Sequence, residues 1–330
     1  MARRRRNKIA GKTRILTALS MLLCLSVLFS FLAPFSWFFE LFSHFALQYA
    51  VFAAILAPFL LLRKKITMAI VMVLIFAVNA YQVAPLIKKN IIDEEAYYDT
   101  VRVLQFNVNK DNQNIEKITR WIVSNSEDFD VVVLFEINDK WEEALRRIKW
   151  AYPYHIKKEL RKDRSVIIFS RLYVDELEVK YIGEENAPSV VMRGETVGYE
   201  IPFAIYTAHP PPPVLPSYAK RNRELLIGVA EEMAKEDIAH QMLIADMNST
   251  RYSPTFKEVA DISGLHDSNE GLGVNNFITT WHSWLTPSFG LMLDNILISD
   301  NVEVIDKRVG PAMGSDHYQV ISTVRFMLEE

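Results

Sequence analysis

The chain contains the segment Leu293-Asp294-Asn295-Ile296-Leu297-Ile298-Ser299 and, shortly after it, the run Gly314-Ser315-Asp316-His317. The first segment has the apolar composition of a buried strand but carries Asp294 near its start, and aspartate is depleted from strands. The second places Asp316 and His317 in the loop before the last apolar segment. An acid followed by a histidine is common by chance. The two segments together indicate a polar site at one end of a sheet.

Polar side chains also end several apolar segments further upstream. These residues are Asn107, Glu136, His209, Asp246 and Asn248. Each one alone has a simpler explanation as the first solvated residue after a strand, a turn residue or a helix cap. Because the ends of neighbouring strands form a common rim, we expect the whole set to converge there. The conjunction therefore predicts a functional site more strongly than any single residue does.

Strand-like and helix-like segments alternate from residue 101 to residue 326. The continuous apolar run at 131–135 is typical of a strand buried on both faces. Residues 112–124 and 218–235 carry apolar side chains at helical spacing. Strands dominate, and the last ones follow one another directly. The pattern predicts an α+β fold with two packed sheets and helices on the outside.

The residue types at the predicted rim suit the hydrolysis of a phosphoester. The negative charge of such a substrate must be neutralised, and Mg²⁺ prefers the hard oxygen ligands that Asn107 and Glu136 offer. A histidine held by a carboxylate stays oriented and can carry positive charge beside a phosphate, which suits His317 with Asp294. Asp246 could then handle the proton of the attacking water. Asn248 could position a phosphate oxygen.

The ordered series of motifs resembles the endonuclease/exonuclease/phosphatase superfamily across residues 101–326. The motifs are Phe106-Asn107-Val108, Leu134-Phe135-Glu136, Ile168-Phe169-Ser170-Arg171, Thr207-Ala208-His209-Pro210, Ala245-Asp246-Met247-Asn248, Leu293-Asp294-Asn295-Ile296 and Gly314-Ser315-Asp316-His317. The resemblance implies a four-layer αββα sandwich, with two mainly antiparallel sheets between outer helices. It also implies cleavage of phosphoester bonds with Mg²⁺, or Mn²⁺ as an alternative ion.

The resemblance further implies a role for each site residue. Asn107, Glu136 and Asp316 would bind the metal, and Asp294 would orient His317. The other catalytic residues would be Asp246 and Asn248, which serve the attack, and His209, which stabilises the phosphate. One departure matters for the metal site, because Asn109 stands where the superfamily often has an aspartate.

The N-terminal region is almost free of charge and predicts three transmembrane helices. The apolar stretches run from about Ile15 to Trp37, Leu41 to Leu62 and Ile66 to Ile87, each near the ~20 residues that span a bilayer. A buried helical domain, or a signal peptide followed by core helices, is the alternative. The apolar core of a signal peptide has only about 7–15 residues, however, and the first stretch is longer.

The charges that flank these stretches predict an orientation. Arginines and lysines precede the first stretch, and Arg63, Lys64 and Lys65 separate the second from the third. The positive-inside rule places both clusters in the cytoplasm, so that everything after Ile87 lies outside. We therefore expect a membrane anchor at residues 1–98 and an outward-facing catalytic domain at residues 99–330. The expected location is the bacterial inner membrane, with a periplasmic or extracellular catalytic domain.

Charge and the N-terminal helices also bear on the substrate. Residues 99–330 hold 25 Lys and Arg against 36 Asp and Glu, and an acidic domain grips a nucleic acid poorly. A further similarity, to the membrane-bound VanJ-type branch of the superfamily, implies a polyprenyl pyrophosphate as substrate. It includes Arg221 and Arg223 as candidate second phosphate contacts, solvated helix charges being the alternative, and Trp281 as a further substrate-binding residue.

The leading hypothesis is a membrane-anchored phosphatase or phosphodiesterase that acts on a phosphorylated lipid at the outer membrane face. The rivals are an extracellular nuclease and a sphingomyelinase-like phosphodiesterase that releases a phosphorylated headgroup. A non-catalytic receptor or scaffold on the same fold is a third rival, which the complete motif set disfavours. The expected partners are the phosphoester substrate and membrane lipid, and the sequence does not indicate an oligomeric state.

Overall fold

The computed structural model of the chain describes residues 2–88, 97–158, 165–183, 186–273, 278–285 and 290–328. Two compact units are present, a helical unit at the N-terminus and a larger unit of strands and helices. The helical unit contains α1 (Ala2–Phe31), α2 (Trp37–Ser43), α3 (Ala46–Leu62) and α4 (Ile66–Ile87).

Two of these helices are long and apolar enough to cross a membrane. They are Gly11–Phe31, with a mean hydropathy of 2.0, and Ile66–Ile87, with 2.1. The helices α2 and α3 pass the same test only as one span bent by 58°. The first span was predicted to reach Trp37, but its helix ends at Phe31. Pro34 lies in a short 3₁₀ turn at Ala33–Phe35, and a new helix begins at Trp37.

The helical unit is apolar both inside and outside. One set of side chains packs together and is buried: Leu23, Tyr49, Ala53, Leu60 and Met72 are members of this cluster. Other large apolar side chains point outward and are about half exposed, among them Leu22, Phe52, Phe59, Ile70 and Leu74. A helix that is apolar on all sides suits either a large protein core or a lipid environment.

The larger unit contains two six-stranded sheets. The first has the order β11-β12-β1-β2-β4-β3 and the second the order β5-β6-β7-β8-β10-β9. The first sheet consists of β1 (Tyr98–Asn107), β2 (Val131–Phe135), β3 (Tyr154–Lys158), β4 (Val166–Ser170), β11 (Val302–Val309) and β12 (Val320–Met327). The second consists of β5 (Tyr173–Ile182), β6 (Ala187–Glu195), β7 (Pro202–Ala208), β8 (His240–Asp246), β9 (His266–Asp267) and β10 (Asp294–Ile298).

The two sheets repeat one topology. In each, a single parallel pair lies at the centre and all other pairings are antiparallel. The helix α5 (Ile115–Ser124) connects β1 with β2, and α7 (Pro216–Met233) connects β7 with β8. In chain order, α6 (Glu142–Lys149) follows β2 in the first half, and α8 (Pro254–Ser263) follows β8 in the second. The sequence shows no corresponding internal repeat.

Three apolar cores hold four layers together. The core between the sheets includes Val133, Phe203 and Ile296. The outer face of the first sheet packs Phe106 and Trp141 together with residues of α5 and α6. The outer face of the second sheet packs Tyr206 and Leu243 against Leu226 of α7 and Phe256 of α8. This arrangement confirms the predicted α+β fold, a four-layer αββα sandwich.

Four strands were missed by the sequence analysis, namely β3, β5, β9 and β11. All four are the edge strands of the two sheets, and β5, for example, carries exposed charges at Asp175 and Glu176. An edge strand buries little of its surface, so its sequence lacks the apolar alternation that marks a central strand.

The alternation of side chains along the central strands positions the polar residues. Val103 faces the core between the sheets, so Asn107, four residues further along β1, faces the same way. The same rule places Asp246 in line with Ile244, and Asp294 in line with Ile296. The ends of these strands therefore direct polar groups into the gap between the two sheets.

Candidate active site

The site lies where the parallel strands β1, β2, β7 and β8 end. The strand β10 runs antiparallel to β8, and Asp294 at its start pairs with Asp246 at the end of β8. The strand β12 is likewise antiparallel to β1, so the loop before it, with Asp316 and His317, reaches the same edge. The directions of the strands therefore bring side chains from widely separated positions of the sequence together at one edge.

The most buried part of the site is a histidine–aspartate pair. Nδ1 of His317 lies 2.7 Å from Oδ2 of Asp294, and both side chains are almost fully buried. Burial disfavours the imidazolium, but the charges of Asp294 and Asp246 outweigh it and raise the pKa of His317 to about 10. His317 is therefore a fixed positive charge, with its Nε2 atom 3.8 Å from Oδ2 of Asp246.

Asp246 sits at the centre of the cluster and is fully buried. Its Oδ2 accepts a hydrogen bond from Nδ2 of Asn107 at 2.9 Å, and Nε2 of His209 lies 3.7 Å away. Burial raises the pKa of Asp246 and the charge of Asp294 adds to the effect, against the influence of the two histidines and Asn107. A carboxyl with a raised pKa is suited to accept and release a proton.

Glu136 is half-buried and is linked to the end of β1. Its Oε1 accepts a hydrogen bond from Nδ2 of Asn107 at 3.0 Å, and its Oε2 accepts one from the backbone N–H of Lys110 at 3.2 Å. Nε2 of His209 lies 3.7 Å from Oε1. His209 thus sits between Glu136 and Asp246.

Asp316 is held by two side-chain donors. Nδ2 of Asn109 donates to its Oδ1 at 2.6 Å, and the indole N–H of Trp281 donates to its Oδ2 at 3.1 Å. Burial opposes ionisation of this carboxyl, but the hydrogen bond from Asn109, the charge of His317 and the bond from Trp281 lower its pKa. The carboxyl of Asp316 is therefore ionised at neutral pH.

Ser315 fixes the loop that carries Asp316 and His317 against the end of β1. Its hydroxyl donates to the carbonyl of Asn107 at 2.7 Å and accepts the backbone N–H of His317 at 3.0 Å. A second anchor is the hydroxyl of Thr280, which accepts the backbone N–H of Asp294 at 3.2 Å. These bonds set the positions of both members of the histidine–aspartate pair.

Three residues of the site adopt the left-handed backbone conformation. The φ angles are 59° at Asn109, 60° at Glu136 and 49° at Asn248. A non-glycine residue held in this region costs of order 1 kcal/mol, and such residues cluster at functional sites. The turn at Glu136 directs its carboxylate back towards β1 instead of continuing the strand.

The proline-rich loop after β7 is anchored on both sides. Nδ2 of Asn248 donates to the carbonyl of Pro210 at 3.1 Å, and Nδ2 of Asn222 on α7 donates to the carbonyl of Pro211 at 3.0 Å. The ring of His209 packs against Phe135 with 5.5 Å between centroids. Its Nδ1 atom is buried without a hydrogen-bond partner among the described residues. His209 is thus positioned by packing, with Nε2 directed at the acidic groups.

The predicted substrate-binding residues differ in placement. Trp281 belongs to the site through Asp316 and is half-buried. Arg223 is exposed and forms an ion pair with Glu258, and the guanidinium of Arg221 lies 5.7 Å from the ring of Tyr218. The two arginines flank the buried Asn222 on α7, so they lie near the proline-rich loop and outside the hydrogen-bonded cluster around Asp246. Their contact with a phosphate stays a prediction.

Two groups of residues offer ligands for a divalent ion. The first is the predicted set of Asn107, Glu136 and Asp316, of which Glu136 and Asp316 are half-buried and Asn107 is buried. The second is Asp246, Asp294 and His317, whose ligand atoms all lie within 4.8 Å of one another. In the second group, Nδ1 of His317 is engaged with Oδ2 of Asp294 at 2.7 Å, and all three residues are buried. The hard oxygens of the first group fit Mg²⁺ or Mn²⁺ better.

The structure also brings in residues to which the sequence analysis assigned no role. They are Asn109, Ser315 and Thr280, which hold Asp316, the loop before β12 and the start of β10. Asn109 was noted only as a departure from a family pattern, and Ser315 and Thr280 adjoin assigned residues. Their hydrogen-bonding side chains next to catalytic candidates were the available signal.

Comparison with known proteins places this geometry in a wider group. A model of the Endonuclease/Exonuclease/phosphatase family matches residues 104–317. No curated protein matches the chain. The matched residues begin within β1 and end at His317, so they include every predicted catalytic and metal-binding residue.

Solved structures share the fold at low sequence identity. A humanized D. rerio TDP2 has a TM-score of 0.56 and 17% identity, with 68% of this chain and 98% of that chain covered. An endonuclease/exonuclease/phosphatase from Bacteroides vulgatus has a TM-score of 0.55 and 12% identity, with coverages of 68% and 98%. D. rerio TDP2 complexed with a single strand DNA product has a TM-score of 0.55 and 18% identity, with coverages of 68% and 99%.

Proposed function

Because the chain belongs to the endonuclease/exonuclease/phosphatase family, we propose that it is a membrane-anchored, Mg²⁺-dependent phosphoester hydrolase whose substrate is a lipid-linked phosphate or pyrophosphate. The family match and the fold make it a hydrolase of phosphoester bonds. The ion, the membrane location and the lipid substrate are the proposed parts.

One observation carries the catalytic assignment. The buried His317–Asp294 pair and Asp246 share one strand edge with the partly exposed carboxylates Glu136 and Asp316. A phosphate that approaches from solvent would meet the carboxyl oxygens of Glu136 and Asp316 first and the positive charge of His317 behind them. That order suits a reaction in which negative charge must be neutralised before water attacks.

The residues of the chain divide the work of the reaction. His317, positively charged and oriented by Asp294, would stabilise the charge that develops on the phosphate oxygens. Asp246, whose pKa is raised, would take the proton of the attacking water. Asn248 and His209 would position the phosphate. Asn107, Glu136 and Asp316 would hold the metal ion, which supplies Lewis-acid polarisation of the phosphoryl group when bound.

The N-terminal helices support a membrane location. They are apolar on all sides, and two or three of them are long enough to span a bilayer. The cationic clusters before the first span and at Arg63, Lys64 and Lys65 favour a cytoplasmic N-terminus. With three spans, the catalytic unit lies on the outer face of the inner membrane.

The connection to the anchor is short, and the net charge of the catalytic unit bears on the substrate. Ten residues separate the end of α4 at Ile87 from the start of β1 at Tyr98, and such a segment reaches at most ~35 Å. The tether joins the catalytic unit at the start of β1, the end of that strand away from Asn107. The net charge of the unit disfavours nucleic acid, since 36 acidic residues outnumber 25 basic ones.

The alternative function is a nuclease. The similarity to D. rerio TDP2, whose structure contains a single strand DNA product, favours this alternative. A sphingomyelinase-like activity is a second alternative on the same chemistry. Both rivals require the same site and differ in what they release.

One screen separates these functions. The full-length protein in detergent with Mg²⁺ is offered polyprenyl pyrophosphate, sphingomyelin, phosphatidylinositol phosphates and single-stranded DNA, with His317→Ala as the inactive control. Release of phosphate from the polyprenyl substrate supports the proposal. Cleavage of DNA alone would establish the nuclease, and release of a phosphorylated headgroup the phosphodiesterase.

A further inference from the structure

The geometry points to Trp281 as a positioning residue, which sets the carboxylate of Asp316 for the metal ion and does not itself bind the phosphate. The inference rests on the proposed metal-dependent hydrolase, because it adds how one of the proposed metal ligands is held. It also gives Trp281 a role that differs from the substrate contact expected from the sequence.

Asn109 and Trp281 together form a clamp on the carboxylate of Asp316. Nδ2 of Asn109 donates to Oδ1 at 2.6 Å, and Nε1 of Trp281 donates to Oδ2 at 3.1 Å. Because each oxygen has its own donor, a rotation of the carboxylate would break both hydrogen bonds. The clamp therefore fixes the plane and the direction of the carboxylate before any ion binds.

The Asn109 half of the clamp has a defined amide orientation. Oδ1 of Asn109 accepts the backbone N–H of Asp111 at 2.9 Å, so the amide nitrogen is the atom that is turned towards Asp316. The backbone N–H of Asn109 donates to Oδ1 of Asn107 at 3.0 Å. This half of the clamp therefore connects two of the proposed metal ligands, Asn107 and Asp316.

The Trp281 half of the clamp is held through its backbone. The N–H of Trp281 donates to the carbonyl of Leu291 at 2.9 Å, and the carbonyl of Trp281 accepts the N–H of Leu291. Two residues further on, the backbone N–H of Ser283 donates to the carbonyl of Asp316 at 2.8 Å, and its hydroxyl donates to the carbonyl of Ser315 at 2.6 Å. The backbone that carries the indole is therefore fixed relative to the loop that carries Asp316.

The chemistry of the two donors favours a cation as the ligand of Asp316. The amide and the indole N–H are uncharged, so they orient the carboxylate and leave its negative charge in place. A lysine or arginine at either position would neutralise that charge and repel a divalent ion. A carboxylate has about four lone-pair sites, so sites remain for an ion beside the two hydrogen bonds. Hydrogen bonds that orient a ligand typically change metal affinity by about tenfold to a hundredfold.

The same hydrogen bond argues against a phosphate contact of Trp281. The indole N–H is the only polar group of a tryptophan side chain and acts only as a donor. In this site it is used by Asp316, and the ring lies beside that of His282, with 5.4 Å between centroids. Binding of a phosphate oxygen by the indole would require the hydrogen bond to Asp316 to break. Trp281 therefore acts on the reaction through Asp316.

The clamp can be measured without metal or substrate. The chain has 6 tryptophans, and ¹⁵N-tryptophan labelling of the full-length protein in detergent resolves their indole N–H signals by NMR. Trp281→Phe identifies the signal of Trp281 by its loss. Asp316→Asn should move this signal upfield, because a neutral amide oxygen accepts a weaker hydrogen bond than a carboxylate. Asp111→Asn, at an exposed position, should leave it in place. A Trp281 signal that does not move in Asp316→Asn would overturn the clamp.

Metal binding then separates a positioning role from a substrate contact. Trp281→Phe keeps an aromatic ring but removes the donor, so the Kd of Mn²⁺, measured by calorimetry without substrate, should rise by about tenfold. The KM for bis(p-nitrophenyl) phosphate at saturating Mn²⁺ should stay at the wild-type value. Trp284→Phe, in the same segment and 73% exposed, should change neither quantity.

Two results of this experiment contradict the inference in different ways. An unchanged Kd of Mn²⁺ in Trp281→Phe, with or without a higher KM, would show that Trp281 does not act through the metal ligand. A wild type that binds no Mn²⁺ would refute the proposed metal site itself, and with it the purpose of the clamp. The indole signal decides separately whether the hydrogen bond from Trp281 to Asp316 exists.

Discussion

His317 and Asp294 form a buried pair in which Nδ1 of the histidine lies 2.7 Å from Oδ2 of the aspartate. Twenty-three positions separate them in the chain. They meet because β10 is antiparallel to β8 and β12 is antiparallel to β1, so the start of β10 and the loop before β12 both lie at the edge where β8 and β1 end. The pair holds a positive charge against the acidic centre at Asp246. The four predictions below start from this pair and extend to the groups around it.

Removal of the histidine should abolish most of the activity. His317→Ala is expected to lower kcat on a soluble phosphodiester by about a hundredfold or more, because the charge that stabilises the phosphate is lost. It also leaves Asp294 buried without a partner, which should lower the free energy of unfolding by about 3 kcal/mol or more. Steady-state kinetics well below the measured Tm separates the two effects. Full activity in this variant, or in Asp246→Ala, would show that the site is misassigned.

Loss of the carboxylate at Glu136 should weaken the affinity for the metal ion and leave the protein folded. Glu136→Gln keeps the size of the side chain but removes a charged oxygen from the predicted metal site. The Mg²⁺ concentration for half-maximal activity should rise by about tenfold to a hundredfold, as measured by titration after treatment with EDTA. Glu143→Gln is the matched control, since Glu143 is exposed on α6 and pairs with Arg146. The same Mg²⁺ requirement in both variants argues against Glu136 as a ligand.

The hydrogen bond from Asn109 should control the acid limb of the pH–rate profile. This bond favours the ionised form of Asp316 and helps to lower its pKa. Asn109→Ala removes the donor, so the pKa of Asp316 should rise towards its ordinary value and the acid limb should move to higher pH. The measurement is kcat/KM against pH at saturating Mg²⁺. A profile that keeps its acid limb while only kcat falls would assign Asn109 a structural role instead.

The buried Lys307 should make the stability of the protein rise with pH in the alkaline range. It is 1% exposed and donates to the hydroxyl of Ser268 at 2.8 Å, and burial lowers its pKa to about 8 from an ordinary value of 10.5. The unfolded chain therefore binds the proton more tightly between pH 8 and pH 10.5, so stability rises with pH across that window. Below pH 8 the full penalty, at most about 3 kcal/mol, is present.

A variant tests this penalty directly. Lys307→Met should raise the Tm at pH 7 and flatten the dependence of stability on pH between 8 and 10.5, as measured by thermal unfolding in detergent. Lys257→Met, at an exposed position of α8, should change neither quantity. A lower Tm for Lys307→Met at both pH 7 and pH 10.5 would show that its bond to Ser268 outweighs the penalty of burial.

The central strands of the fold were predictable because strands that are buried on both faces consist almost entirely of apolar residues. The run Val131–Phe135 is apolar throughout, since both of its faces are covered. The edge strand Tyr173–Ile182 was missed, because its exposed positions carry charges and its pairing with β6 is decided by a neighbour elsewhere in the chain. Propensity is a local property, whereas an edge strand is stabilised mainly by its partner.

The candidate site was predictable as a set of residues but not as a geometry. Polar residues at the ends of apolar strands identified Asn107, Glu136 and Asp246, and the order of the motifs predicted the pairing of His317 with Asp294. The contact of Asn109 with Asp316 could not be read in the same way, because it joins positions 207 residues apart. The left-handed turns at Asn109 and Glu136, which aim these side chains, are also invisible in the sequence.

The sequence by itself determined the apolar N-terminal helices, the class of the larger unit and the identities of the chemical groups, since these depend on composition and on the local period of the chain. Only the tertiary structure decided which groups meet. It showed that the halves of the sandwich repeat one topology without repeating sequence. It also showed that strand direction gathers the ends of β1, β2, β7 and β8 with the start of β10 at one edge. The reason is physical: side-chain patterns record burial, whereas distances between remote residues depend on sheet order, register and the conformation of a few loops. The run Gly314-Ser315-Asp316-His317 carries both kinds of information, because its residues could be recognised in the sequence, but their partners Asn107, Asn109 and Asp294 reach it only in the folded chain.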